Sequence, residues 1–248
     1  MNESELRQLG ESLRCTYHKL IEQYEKENAN MSQELKELLS HGVYNGAFSN
    51  PEGILICGIN PSYDNKAEKE LPYNLLTECT GKYWKPYVAM ANCFPENMVG
   101  YLDIFPLRAT DEKGFLRIVP TELKAMLVAK FEEVIEDSLR PKLIVYTNKS
   151  TSYLWGTDEA HPWMGYKLLP IETEDSLSAK GSLYRIVGYQ DHPERINKSG
   201  IKTDNSNLIG SYLFITSFYQ YAKKETKITA DDIKLLWNEY ALAKTSEI

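Results

Sequence analysis

The stretch GILICGINPSYD, from Gly53 to Asp64, decides how the rest of the chain is read. Ile54, Leu55, Ile56 and Cys57 form a short apolar run rich in β-branched side chains, which stops at Gly58 and breaks into Asn60-Pro61-Ser62. A short apolar run ended by Gly and Pro predicts a buried strand of a parallel sheet running into a turn. In open α/β sheets, ligands sit beyond the carboxyl ends of the strands. Asn60 therefore stands on a rigid turn where such folds carry chemistry. Its amide is no base, but it can hold a water or a substrate, and Pro61 fixes the backbone behind it.

Working outward, the chain alternates helix and strand. Residues 3 to 40 are highly charged, with Leu6, Leu9, Leu13, Tyr17, Leu20, Ile21 and Tyr24 at helical spacing, and a second helix is expected from Ser32 to Leu39. Tyr83 to Met90 reads as helical, YLDIFPLRAT (Tyr101 to Thr110) as the second strand, and Thr121 to Leu139 as an amphipathic crossover helix. LIVYTN, Leu143 to Asn148, is the clearest strand. Residues 157 to 182 read as an irregular acidic insertion, Leu183 to Tyr189 as the fourth strand, Gly210 to Glu225 as a helix, and Thr229 to Lys244 as a final packing helix. The expected fold class is α/β: a three-layer sandwich around a central four-stranded, mainly parallel sheet. Residues 1–45 are expected to form a helical segment packed on an α/β domain of residues 46–248.

Composition limits the function classes. At 248 residues, 42% hydrophobic and 25% charged, the chain can bury a full core and has the make-up of a globular protein. No apolar run approaches the roughly 18 residues of a membrane span, and MNESELRQLGESLR lacks the apolar centre of a signal peptide. A cytoplasmic, monomeric protein without membrane contact is expected. The net charge of −7 argues against a general nucleic-acid coat, though a local basic rim on an acidic body is compatible with it. Cys15, Cys57, Cys79 and Cys93 lack CxxC spacing, so neither a metal site, an iron–sulfur cluster nor a disulfide framework is expected, and no cofactor.

Two motifs carry a resemblance. Cys57-Gly58-Ile59-Asn60-Pro61-Ser62 resembles the first motif of the uracil-DNA glycosylase superfamily, above all its mismatch-specific branch with GINPG. His192-Pro193-Glu194-Arg195-Ile196, after the expected fourth strand, resembles the second motif, His-Pro-Ser-Pro-Leu. Tyr83-Trp84-Lys85 occupies the place of the family's Arg-Phe-Trp-Lys-like helix start. The resemblance implies a DNA-repair hydrolase that flips a base and cuts the N-glycosidic bond of uracil or a related damaged base, without metal or cofactor. It implies Asn60 as the group orienting the attacking water and His192 as the donor to the departing base. Tyr63 or Tyr73 would stack on the base, and Asp103 lies where an Asn reads it. Asn148 closes the next strand at the same edge, as a further base-binding candidate. Ile196 corresponds to the wedge that fills the emptied stack, and Arg195 and Lys198 would meet DNA phosphates.

The departures leave an alternative open on the same fold. Ser62 stands for the usual Gly, Glu194-Arg195 for Ser-Pro, and Asp103 for Asn. An ionised carboxylate only accepts hydrogen bonds, so Asp103 serves a base carbonyl only when protonated. With the acidic charge, this leaves open a nucleotide- or nucleobase-binding protein, or an enzyme of free nucleosides. Asn60-Pro61-Ser62-Tyr63 also resembles the Asn-Pro-Pro-Tyr of amino-methylating enzymes, but no Gly-rich cofactor loop precedes it.

Overall fold

The computed structural model describes residues 2–44, 46–63, 79, 81–192, 195–196, 206–217 and 222–242. The apolar run is strand β1, Ile54–Gly58, buried at every position. It pairs in parallel with β2, Val99–Asp103, on one side and β3, Leu143–Tyr146, on the other. A last strand, β6 (Tyr212–Thr216), lies parallel to β3. Alternate side chains of these strands enter two different cores. Leu55, Cys57, Ile144, Tyr146, Leu213 and Ile215 face one, and Ile54, Ile56, Leu143, Val145, Tyr212 and Phe214 face the other. A strand buried on both faces needs apolar residues at both parities, which is why these runs are continuous rather than alternating.

Helices cover both faces. On the first lie α1 (Glu3–Glu27), α2 (Gln33–Ser40), α4 (Glu112–Ile118) and α5 (Thr121–Glu133), whose last turns continue as a π-helix to Leu139. On the second lie α3 (Lys85–Ala91), the short α6 (Asp175–Ser178) and α7 (Ala230–Leu235), continued by a π-helix to Leu242. The helical spacing of α1 places Leu6, Leu13, Tyr17, Ile21 and Tyr24 in the first core, and Asn2 closes its start with a capping box to Glu5. No described helix is long and apolar enough to cross a membrane.

The sheet corrects four expectations. Among the described residues it has six strands, not four, in the order β2-β1-β3-β6-β5-β4, and it is mixed. The expected strand over residues 101–110 ends at Asp103, after which the chain makes only isolated bridges at Leu107 and Ala109. Residues 157–182 contain β4 (Tyr166–Ile171) and α6. The expected helix from Gly210 opens instead as β6; residues 218–221 of that span lie outside the described residues.

The direction of β5 changes the topology most. β5 (Gly181–Tyr189) runs antiparallel to β6, with Gly181 opposite Thr216 and Arg185 opposite Tyr212. Its carboxyl end therefore points to the amino edge of the four parallel strands.

Candidate functional site

The carboxyl edge of the parallel strands opens into a cavity of about 500 Å³. Each strand delivers a polar group to it: Asn60 after β1, Asp103 at the end of β2, Asn148 after β3 and Ser217 after β6. Tyr83 and Tyr101 add aromatic wall, and Glu112, at the first turn of α4, closes one side. The convergence follows from the parallel arrangement, since four strands in one direction release their chain ends on one edge.

Asp103 is the deepest of these groups, 3% exposed. Tyr101 donates its hydroxyl to Asp103 Oδ1 at 3.0 Å, and the Tyr101 and Tyr83 hydroxyls are 2.6 Å apart. Burial pushes the Asp103 carboxyl up from an ordinary 3.8 to about 7, against the opposing pull of the Tyr101 hydrogen bond. Near neutrality this group is therefore a mixture of acceptor-only carboxylate and carboxylic acid with an O–H to donate. Gly58 exists to admit it. A Cβ there would stand 2.1 Å from Asp103 Oδ1 and 2.4 Å from the Tyr101 hydroxyl. The strand ends in Gly because the neighbouring strand's carboxyl occupies the space of a side chain.

Asn60 donates from Nδ2 to the carbonyl of Pro61 at 3.2 Å, so its side chain folds against its own turn. Its Oδ1 has no hydrogen-bond partner among the described residues and lies at the cavity wall. Asn148 is held firmly. It donates from Nδ2 to Glu112 Oε2 at 2.7 Å and accepts at Oδ1 from the Ser150 amide and hydroxyl. The hydroxyl of Ser150 also contacts Glu112 Oε1 at 2.8 Å. Glu112 thus braces the loop after β3, while one amide hydrogen of Asn148 has no partner in this network.

The residues of the second expected motif lie elsewhere. His192 follows β5, whose reversed direction carries it to the amino edge, away from Asn60. Four parallel strands would have brought the two motifs together; an antiparallel fifth strand separates them. Arg195 is buried at 6% exposure, with its guanidinium 4.1 Å from the centroid of Tyr189 and its methylenes against Gly165. It packs inside the protein and offers no surface to a phosphate. The Ile196 amide donates to the Trp163 carbonyl and its side chain rests on the first core, so it does not project as a wedge. Close by, Glu136 accepts from the hydroxyls of Tyr166, Tyr189 and Ser206 and from the Asn207 amide, at 2.5 to 2.9 Å. This buried network ties β4 and β5 to the end of the α5 helix.

Of the two stacking candidates, Tyr63 is stacked on His41 with ring centroids 3.5 Å apart and does not line the cavity. Tyr73 and Lys198 lie outside the described residues. Tyr101, Glu112 and Ser217 are site residues that sequence reasoning did not single out, and Tyr83, read there only as part of a helix start, joins them. Asp111, which caps α4 by accepting from the Gly114 amide, was the local signal for a helix starting beside the site. Ser217 had none, because the chain around it reads equally as helix.

The described residues contain no cluster of three or more His, Cys, Asp or Glu side chains able to hold a metal ion. No protein-family model matches the chain, and no curated protein matches it.

Proposed function

We propose that the chain hydrolyses the N-glycosidic bond of uracil or a related base, in the manner of a uracil-DNA glycosylase, with its base-binding machinery at the carboxyl edge of the parallel strands. The observation that carries this reading is Asp103: a buried carboxyl beside Asn60, raised to about 7 and steadied by Tyr101. A protonated carboxyl presents a donor and an acceptor side by side, which complements the N–H and C=O of an imide edge. The expected Asn would present the same pair, so Asp103 in its acid form replaces it.

In this mechanism the C1′–N bond breaks and its electron pair moves onto the base, spreading to the ring oxygens. The Asp103 O–H donates to the oxygen that gains charge, the role assigned to His192 from sequence. Such a donor in a dry pocket contributes about 10²–10³-fold in rate. A water bound to Asn60 Oδ1 attacks C1′ and loses its proton to solvent. An oxocarbenium-like sugar is electron-poor enough that positioning this water matters more than a strong base.

The test is release of free base from uracil-containing single- and double-stranded oligonucleotides and from deoxyuridine, for the parent, Asn60→Ala, Asp103→Asn and Asp103→Ala. Asp103→Asn keeps a donor and an acceptor and is expected to keep activity; Asp103→Ala and Asn60→Ala are expected to lose it. Absence of release from every substrate, or an unaffected Asp103→Ala, would sink the proposal.

A second reading is that the substrate is a free nucleoside rather than DNA. It is favoured by the cavity rim, where Asp111 and Glu112 face a single cation, Lys149, among the described lining residues. Phosphates approach such a rim poorly. Release from deoxyuridine with none from either oligonucleotide would select it.

A further inference from the structure

We propose that the opposite, amino edge of the sheet carries a second site, which takes a phosphate dianion, free or as the monoester of a small molecule, between Arg140, Lys142 and Arg185. The cleft there has a volume of about 260 Å³ and lies where β3 and β6 begin. Three cations meet in it on a chain whose net charge is −7. The one carboxylate among the described lining residues, Glu52, is 3.2 Å from Lys142 Nζ and offsets one charge. Arg140 and Arg185 make no ion pair among the described residues. Two guanidinium groups match the oxygens of a phosphate with paired N–H donors.

Local structure supports the assignment. Arg140 holds φ 41° and ψ 54°, the left-handed conformation at the end of the helix that precedes β3. Gly is the usual residue there, and an L side chain is strained in that conformation. The position keeps a guanidinium at the cleft despite that strain. Gly210, at φ 92°, lies against Arg185: a Cβ at Gly210 would stand 3.9 Å from a guanidinium nitrogen. Tyr212, the first residue of β6, also lines the cleft. The volume is below the roughly 300–1,000 Å³ usual for larger organic ligands, which selects a phosphate with a small substituent over a nucleotide.

The experiment is titration of the full chain with inorganic phosphate and with glucose 6-phosphate, at ionic strength balanced with chloride, followed by calorimetry and ³¹P line broadening. Arg140→Gly and Arg185→Gln are measured beside the parent. Saturable binding by the parent is expected, weakened about tenfold or more in each variant, as for loss of a charge-assisted hydrogen bond. Arg140→Gly is expected to melt no lower than the parent, because Gly is at ease in the left-handed conformation, so weakened binding there does not report unfolding. Tighter glucose 6-phosphate identifies a monoester ligand, and equal affinities identify free phosphate. No saturable binding at millimolar concentration, equal displacement by chloride, or affinity unchanged in both variants would each overturn the proposal.

Discussion

Replacing Asp103 with Asn changes how stability depends on pH, and the size of the change follows from burial. The folded carboxyl is raised from 3.8 to about 7. Between those values the folded chain holds a proton that the unfolded chain has released. Stability therefore falls as pH rises through this window, and the full penalty is present above pH 7. That rise corresponds to about 4 kcal/mol, of which about 3 kcal/mol accrues between pH 5 and pH 8. Asn cannot ionise and can still accept from the Tyr101 hydroxyl. Asp103→Asn should thus remove the slope and gain most of that energy at pH 8, while differing little from the parent at pH 4. For a chain of this size about 3 kcal/mol moves the melting temperature by about 6–12 °C. Urea unfolding of both proteins at pH 5, 6, 7 and 8 measures it directly. Parallel pH profiles for parent and variant would refute the reasoning, because they would mean that Asp103 ionises as freely in the folded chain as in the unfolded one.

Three further outcomes follow from the same geometry. Base release by the parent should fall about tenfold per pH unit above pH 7, as Asp103 loses the proton it donates, and Asp103→Asn should abolish that fall; a pH–rate series decides it. Gly58→Ala should destabilise the fold by about 1–3 kcal/mol, because its Cβ meets Asp103 and Tyr101 at 2.1 and 2.4 Å; denaturant titration reads the loss, and an unchanged midpoint contradicts the contact. Glu136→Ala should cost about 3 kcal/mol or more, since it leaves buried donors from Tyr166, Tyr189 and Ser206 without an acceptor; a shift under 1 kcal/mol, or about that, would show the network to be replaceable by water.

Asn60 and Asp103 were legible in the sequence as groups at strand ends, yet their roles were not equally so. Asn60 follows an apolar run whose composition and terminator fix a strand and its end. Asp103 is unusual in an apolar stretch, which marks it, but whether it is ionised depends on what surrounds it. Burial of the carboxyl and the Tyr101 hydroxyl set that balance, and both come from the packing of β2 on β1 and α3. His192 was misplaced because the residues at a strand's end do not encode which way the strand points in the sheet.

What the sequence determined by itself is whatever local chemistry specifies: the apolar runs of β1 and β3, the helical stripe of α1, and the stripe that buries α5. These signals act over a few residues, through side-chain burial and backbone caps. Only the tertiary structure decided that Tyr212–Thr216 is a strand, that β5 is reversed, and that β4 joins the sheet. A short aromatic-rich run fits a buried strand and a buried helix about equally. The choice falls to the open edge of β3, whose backbone N–H and C=O groups must be paired once buried, and β6 pairs them.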